Sequence, residues 1–247
     1  MDRLSSTQEL PNLTLIRDLY ELYYMKESPV DGQVSSHWKE YNQKLKFRVD
    51  KTGLPVEVAG YGFLASLFKE RFPNSSIVLV DLGKILVFQA YYCQKAHPQN
   101  VHESVFSGGE IDLSKCDFVY CPAEFLSKAS QLTYDVAVNI ASMQEMTTSS
   151  LVGYFQFLRR QMEADGLLYC CNRERKVLVG GEVLEFKHYP WHPKDVHLVD
   201  ETCPWHKYYL SFITTANGPR VFGARIPFVN DFDGPTRHRL TRLSRGH

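Results

Sequence analysis

The stretch Leu54-Pro-Val-Glu-Val-Ala-Gly-Tyr-Gly-Phe63 decides the predicted fold. It indicates a short apolar strand ending in a turn at Gly60 and Gly62, where glycine lets the backbone bend sharply and lets a ligand approach the main chain. After an aromatic-rich stretch, a second strand, Ser76-Ile-Val-Leu-Val-Asp-Leu82, carries Asp81 near its end. An acid about twenty residues after the first glycine of a βαβ unit is typical of nucleoside binding, because its carboxylate accepts hydrogen bonds from a ribose diol.

The glycine turn is compatible with two classes of cofactor, nicotinamide dinucleotides and S-adenosylmethionine. Gly60, Gly62 and Ala65 satisfy the pattern G-x-G-x-x-A, which is typical of nicotinamide dinucleotide binding. Glu57 lies inside the first predicted strand, where a dinucleotide-binding strand is usually apolar, and this acid favours S-adenosylmethionine. Glu57 as a solvated strand residue and Asp81 as the N-cap of the following helix are the alternatives that involve no ligand.

The order of the predicted elements indicates the fold class. Strands alternate with helices along most of the chain, which predicts an α/β fold with a mostly parallel, doubly wound, Rossmann-like sheet and an N-terminal helical extension. Residues 1–50 are predicted to form this extension or lid, with helices at about 9–26 and 35–45. Residues 51–235 are predicted to form the cofactor-binding catalytic domain, and residues 236–247 a basic tail.

Composition excludes several classes of protein. The 247 residues carry 28 basic and 28 acidic side chains, so the chain lacks the positive charge of a general nucleic-acid-binding protein. No stretch approaches the roughly 20 apolar residues of a membrane span, and the N-terminus lacks the features of a signal peptide. The six cysteines are scattered, as reduced core thiols are. We expect a cytoplasmic protein that binds a small molecule or glycoside, and homo-oligomerisation stays open.

A second motif is Asp135-Val-Ala-Val-Asn-Ile-Ala-Ser-Met-Gln-Glu-Met146. Its first half predicts an apolar strand at 134–141, of the kind buried on both faces of a parallel sheet. Polar side chains follow just past that strand, at Ser142, Gln144 and Glu145. Because ligands of α/β sheets bind beyond the carboxyl ends of the strands, we expect these residues to line the site.

The chain resembles the sugar O-methyltransferases of bacterial polysaccharide and natural-product clusters, a family of class I methyltransferases. The resemblance spans about residues 35–212 and rests on Val56-Glu-Val-Ala-Gly-Tyr-Gly62, Asn139-Ile-Ala-Ser-Met-Gln-Glu-Met146, Tyr189-Pro-Trp191 and Cys203-Pro-Trp-His206. It implies a class I fold that binds S-adenosylmethionine and takes a sugar hydroxyl as acceptor. Ala59 departs from the three alternating glycines that are general among methyltransferases.

These observations predict a set of site residues. A sugar hydroxyl is a weak nucleophile, so a base is expected to remove its proton, and carboxylate or imidazole groups suit that role. The candidate bases are Glu145, His206 and His192. The predicted cofactor-binding residues are Glu57, Gly60, Tyr61, Gly62, Asp81, Asn139 and Ser142, and the predicted substrate-binding residues are Gln144, Tyr189, Trp191 and Trp205. The alternatives that involve no ligand are that the candidate histidines are surface residues and that Tyr189, Trp191 and Trp205 only pack in the core.

Metal binding is weakly indicated. The histidines and the cysteine between His188 and His206 fit no standard zinc spacing, so no metal ligands are assigned. A magnesium ion (Mg²⁺) shared by Glu145 and the sugar diol stays open.

The leading functional hypothesis is an S-adenosylmethionine-dependent O-methyltransferase acting on a hydroxyl of a sugar, or of a sugar-containing natural product or polysaccharide precursor. An NAD(P)-dependent oxidoreductase is the second hypothesis; Glu57 and the lack of a Tyr-x-x-x-Lys dyad beside the cofactor strand count against it. A non-catalytic S-adenosylmethionine-binding protein is the third.

Overall fold

A computed structural model describes residues 13–21, 62–105, 112, 115–129, 133–204, 220–221, 224–225 and 235–245. These residues fall into two compact units, one ending at residue 132 and the other beginning at residue 133.

The first unit is built on a small parallel sheet. Its elements are α1 (Leu13–Tyr20), α2 (Phe63–Arg71), β1 (Ile77–Asp81), α3 (Gly83–Ala96), β2 (His102–Ser104), β3 (Phe118–Pro122) and a 3₁₀ helix (Ala123–Ala129). The strand order is β1-β3-β2, and both pairings are parallel. The central strand β3 is buried along its whole length, as expected for a parallel strand rich in aromatic and β-branched residues.

Helix α3 packs on this sheet through an almost continuous buried run from Ile85 to Ala90. It ends at Ala96, and the backbone N–H of the C-cap residue His97 bonds to the carbonyl of Cys93. The next residue is Pro98, and the residue before a proline is disfavoured in the helical conformation. Strand β1 lies within the predicted strand at 76–82, and α3 lies where the sequence predicts a helix, at about 84–95.

The second unit contains a larger, mixed sheet. Its elements are β4 (Tyr134–Ile140), a 3₁₀ helix (Met143–Glu145), α4 (Thr148–Gln161), β5 (Met162–Arg173), β6 (Arg175–Val177), β7 (Val183–Glu185), a 3₁₀ helix (Phe186–His188), β8 (Val196–Thr202), β9 (Arg220–Val221), β10 (Ala224–Arg225) and β11 (Thr236–Arg242). The main sheet has the order β4-β5-β11-β8, while β6 pairs with β7 and β9 with β10.

The prediction of a mostly parallel, doubly wound, Rossmann-like sheet is wrong. In the four-stranded sheet only β4 and β5 are parallel; β11 is antiparallel to both β5 and β8. The β6–β7 pair is also antiparallel, and helices are few among the described residues. The described sheets are therefore one small parallel sheet and one mixed sheet with separate antiparallel pairs. The sequence pattern identified β1 and β4 as strands, but the direction of a strand depends on which distant segment pairs with it.

Strand β11 illustrates this difference, because it comes from the segment predicted as a basic tail. It lies between β5 and β8, and Arg239 and Thr241 are buried. Across the sheet, Arg237 and Arg239 donate to the carboxylate of Asp200, the latter at 2.7 Å. These ion pairs allow a basic sequence to occupy the interior of a sheet, since buried charges need paired partners.

The expectation that the strand at 134–141 is buried on both faces is also wrong. Strand β4 lies at the edge of its sheet, and Val136 and Ile140 are 53% and 51% exposed. Alternate residues of a strand share a face, so one face of β4 is open to solvent.

In the part of the chain that the structure describes, no helix combines the length and the apolar character needed to cross a membrane. Within the helix predicted at 9–26, the structure describes α1 (Leu13–Tyr20); residues 9–12 and 22–26, and the helix predicted at 35–45, lie outside the described residues.

Candidate functional site

Asp81 lies at the carboxyl end of the parallel sheet, as the last residue of β1, beside Pro122 of β3. It is half-buried, and its carboxylate accepts two hydrogen bonds. The backbone N–H of Leu82 donates to Oδ1 at 2.7 Å, and Nε2 of Gln89 donates to Oδ2 at 2.8 Å. Burial raises the pKa of Asp81 to about 6, although both hydrogen bonds act to lower it. The N-cap of α3 is Leu82, so Asp81 does not take the capping role.

Gly62, at the end of the predicted glycine turn, is the N-cap of α2 and has a φ of +88°. This left-handed conformation favours glycine. A Cβ atom there would lie 2.8 Å from Sγ of Cys93 and 3.5 Å from Cα of Gln89. Gly62 therefore packs directly against α3 at the residue whose side chain binds Asp81. Gln89 joins the two described parts of the predicted nucleotide motif.

Sequence reasoning missed Gln89, although a signal was present. It is a polar residue inside the apolar run Ile85-Leu-Val-Phe-Gln-Ala90, and it is buried. A buried polar side chain requires a hydrogen-bond partner, and the nearest acid in sequence was Asp81. Five predicted site residues lie outside the described residues, namely Glu57, Gly60, Tyr61, Trp205 and His206.

The polar motif after β4 forms a tight corner in the second unit. Ala141 has a φ of +60°, and the chain then enters the 3₁₀ helix Met143–Glu145. Oδ1 of Asn139 accepts from the backbone N–H of Met143 at 3.2 Å, and its Nδ2 donates to Oγ of Ser142. A non-glycine residue at positive φ is sparsely populated and often marks a functional segment.

A buried asparagine on β5 holds this corner in place. Asn172 is fully buried; its Nδ2 donates to Oδ1 of Asn139 at 2.9 Å, and its Oδ1 accepts from the N–H of Gln144 at 3.1 Å. The side chain of Gln144 accepts from the N–H of Arg173 at 2.8 Å. Asn139, Ser142 and Gln144 are thus brought together as predicted neighbours, with their described bonds mostly to one another and to β5. Sequence reasoning missed Asn172, which stands out only as a polar residue ending the apolar run from Leu167.

Glu145 is buried beside a cation that the sequence did not single out. Its Oε1 lies 3.6 Å from Nζ of Lys176 on β6 and 3.5 Å from Nε2 of Gln144. The hairpin β6–β7 that carries Lys176 is fastened to the same corner a second time, because Oε1 of Glu182 accepts from the N–H of Thr148 at 3.0 Å. The structure therefore places a cation and an amide beside one oxygen of a buried carboxylate, and a carboxylate is one of the groups that can accept a proton.

His192 lies in a different cluster, which includes Ser244 near the C-terminal end of the described residues. Its Nδ1 accepts from the N–H of Lys194 at 3.2 Å and lies 3.3 Å from Oγ of Ser244. The same loop contains Asp195, which forms a bidentate ion pair with Arg159: Nη1 donates to Oδ1 at 2.7 Å and Nη2 donates to Oδ2 at 2.8 Å. The described contacts of His192 therefore tie a loop to the C-terminal strand region.

Tyr189 and Trp191 belong to an aromatic cluster. The indole N–H of Trp191 donates to the carbonyl of Phe186 at 2.8 Å, and the guanidinium of Arg239 lies 4.5 Å from the ring centroid. Tyr189 is buried, and burial raises the pKa of its hydroxyl above the ordinary value. The ring of Trp191 also meets Phe155 edge-on at 5.0 Å. These contacts are those of core packing, and a sugar-binding role for the two residues stays a prediction.

The described candidates divide between the two units. Gly62 and Asp81 belong to the first, while Asn139, Ser142, Gln144, Glu145, Tyr189, Trp191 and His192 belong to the second. Among the described residues, no three His, Cys, Asp or Glu side chains are grouped so that they could hold a metal ion.

Comparison with known proteins adds no family assignment. No protein-family model matches the chain, and no curated protein matches it.

Proposed function

We propose that the chain is an S-adenosylmethionine-dependent O-methyltransferase that acts on a hydroxyl of a sugar, or of a sugar-containing natural product or polysaccharide precursor. The observation that carries the proposal is the link through Gln89, which binds Asp81 with its side chain and packs against Gly62 with its backbone. A carboxylate at the end of a parallel strand, beside a glycine that begins a closely packed helix, is an arrangement common in the nucleoside sites of α/β sheets.

The residues of the first unit fit the nucleoside part of this cofactor. Asp81 offers a fixed, half-buried carboxylate, and Gly62 begins α2, whose first N–H groups have no side-chain cap. Glu57, Gly60 and Tyr61 complete the proposed set of cofactor-binding residues in the sequence. The cofactor supplies an electrophilic methyl group; the protein has to bind it, to orient the acceptor hydroxyl and to take up the hydroxyl proton.

The proposed proton acceptor lies in the segment that follows β4. Of the two candidate bases in the described part of the chain, Glu145 is buried and His192 is exposed, and we assign the role to Glu145. Asn139, Asn172 and Gln144 fix the backbone on which it stands. We place the enzyme in the cytoplasm, with a small sugar or glycoside as its partner and without nucleic acid.

The test is methyl transfer from S-adenosylmethionine to a panel of free and nucleotide-linked sugars, followed by mass spectrometry of the products. We expect a methylated sugar from the unchanged protein. Glu145→Gln should lower the rate by roughly 10²- to 10⁴-fold, because glutamine keeps the shape of the side chain but cannot accept the proton.

Glu182→Gln is the matched control, because it makes the same change on the hairpin contact to α4 without touching Glu145. Its rate should stay within about threefold of the unchanged enzyme, since an exposed contact contributes little. Full activity of Glu145→Gln would transfer the role of base to His206 or His192. Cofactor binding without any methylated product would favour the non-catalytic alternative.

A further inference from the structure

Two donors from the described residues bond to the carboxylate of Asp81, one to each oxygen. A carboxylate has two oxygens with about two acceptor positions each. Among the described residues, Leu82 donates to one oxygen and Gln89 to the other, one bond apiece. No third donor among the described residues bonds to this carboxylate, so with respect to them each oxygen can accept one further hydrogen bond.

Gln89 is well placed to hold the carboxylate in this orientation. It is buried on α3, eight residues after Asp81, and its backbone is pressed against Gly62. Because an ionised carboxylate only accepts hydrogen bonds, the amide nitrogen of Gln89 must face it. A bond from a buried helical side chain restricts rotation of the carboxylate far more than a bond from solvent would.

One acceptor position on each oxygen suits a vicinal diol, which can donate one hydrogen bond to each of the two oxygens. We propose that Gln89 is a positioning residue that turns Asp81 toward the vicinal diol of a ribose and thereby sets the preference for ribosides over deoxyribosides. This inference rests on the proposed function in one respect: it requires that the ligand contains a nucleoside. The diol preference would equally hold for a dinucleotide.

The test measures diol preference directly. The full chain is titrated with adenosine and with 2′,3′-dideoxyadenosine, each as a competitor of S-adenosylhomocysteine or, if that ligand does not bind, of NADH. The unchanged protein should prefer adenosine by about tenfold or more, the usual effect of losing hydrogen bonds to a charged group. Gln89→Met should reduce this preference to under about threefold, with the affinity for dideoxyadenosine nearly unchanged.

Gln94→Met is the matched control. Gln94 lies on the same helix and is fully buried, and no described residue bonds to its amide. This variant should keep the full preference for adenosine. A variant that retains affinity for dideoxyadenosine is folded. If Gln89→Met does not fold, Gln89→Leu replaces it in the experiment.

The outcomes separate the two proposals. If Gln89→Met keeps the preference for adenosine while Asp81→Asn removes it, the positioning role of Gln89 is overturned and the cofactor proposal stands. Absence of any preference in the unchanged protein also overturns the role. If the diol preference responds to Gln89→Met but only NADH binds, the role of Gln89 holds and the methyltransferase proposal fails.

Discussion

At the scale of single residues, the chemistry of the proposed cofactor site turns on the ionisation of Asp81. Burial raises the pKa of Asp81 from 3.8 to about 6, so the carboxyl group is mostly ionised at pH 7 and mostly protonated at pH 5. The ionised form has acceptor positions for both hydroxyls of a diol, whereas protonation converts one of them into a donor. Ligand binding should therefore favour the ionised form.

The resulting prediction is a pH-dependent affinity. S-adenosylhomocysteine should bind more weakly as the pH falls below about 6, approaching tenfold per pH unit. The ligand's own amino and carboxyl groups titrate outside the range from about pH 5 to about 7, so they do not obscure the effect. Calorimetric titrations across that range should show the loss in the unchanged protein and little of it in Asp81→Asn. An affinity that stays flat in the unchanged protein would exclude a diol contact to Asp81.

At the scale of secondary-structure elements, the second unit is held together by polar contacts that reach between elements. Asp195 precedes β8 and bonds to Arg159 of α4, to the backbone of His192 and to the backbone of Ser244. Burial alone would raise the pKa of Asp195, but these hydrogen bonds outweigh it and lower the pKa to about 2. The ionised Asp195 thus stabilises the contact between α4, the loop before β8 and the end of the described chain.

Removal of this charge should destabilise the fold in a pH-dependent way. Asp195→Asn should lower the free energy of unfolding by about 3 kcal/mol near pH 7, because the largely buried guanidinium of Arg159 loses its countercharge and keeps only neutral hydrogen-bond partners. The pKa of Asp195 is lower in the folded state, so its stabilisation is present above about pH 4 and is lost as the pH falls toward about 2. Urea unfolding should therefore show a smaller difference in the free energy of unfolding between Asp195→Asn and the unchanged protein at pH 3 than at pH 7.

Asp165→Asn provides the comparison for this experiment. Its side chain is 89% exposed and lies 3.7 Å from Arg242, so its loss should leave stability unchanged at both pH values. Equal stability of Asp195→Asn and the unchanged protein at pH 7 would show that the ion pair with Arg159 does not hold these elements together.

At the scale of the whole molecule, local apolar patterns predicted elements better than they predicted the sheets. Strand β1, helix α3 and strand β4 each have a continuous apolar signal and appear where expected. Strand β11 could not be found in that way, because Arg237, Arg239 and Arg242 give it a basic sequence, and Asp200, which neutralises two of them, is distant in the chain. Without β11, the antiparallel pairings that make the sheet mixed were not predictable.

The candidate site shows the same limit. The ends of β1 and β4 drew attention to Asp81 and to the segment from Asn139 to Glu145, and the structure places each at the end of its strand. The residues that hold them, Gln89, Asn172 and Lys176, come from other elements. Their role depends on which side chains meet in space, and a polar residue in an apolar run was the only sequence signal for two of them.

The central claim is that the chain binds S-adenosylmethionine through Asp81, and calorimetric titration with S-adenosylhomocysteine beside NADH tests it most directly. We predict micromolar binding of S-adenosylhomocysteine and none of NADH. Asp81→Asn should weaken binding by roughly 1–3 kcal/mol, whereas Asp112→Asn, a change of an exposed acid in the same unit, should not. Binding of NADH alone, or an affinity for S-adenosylhomocysteine that is unchanged in Asp81→Asn, would contradict the claim.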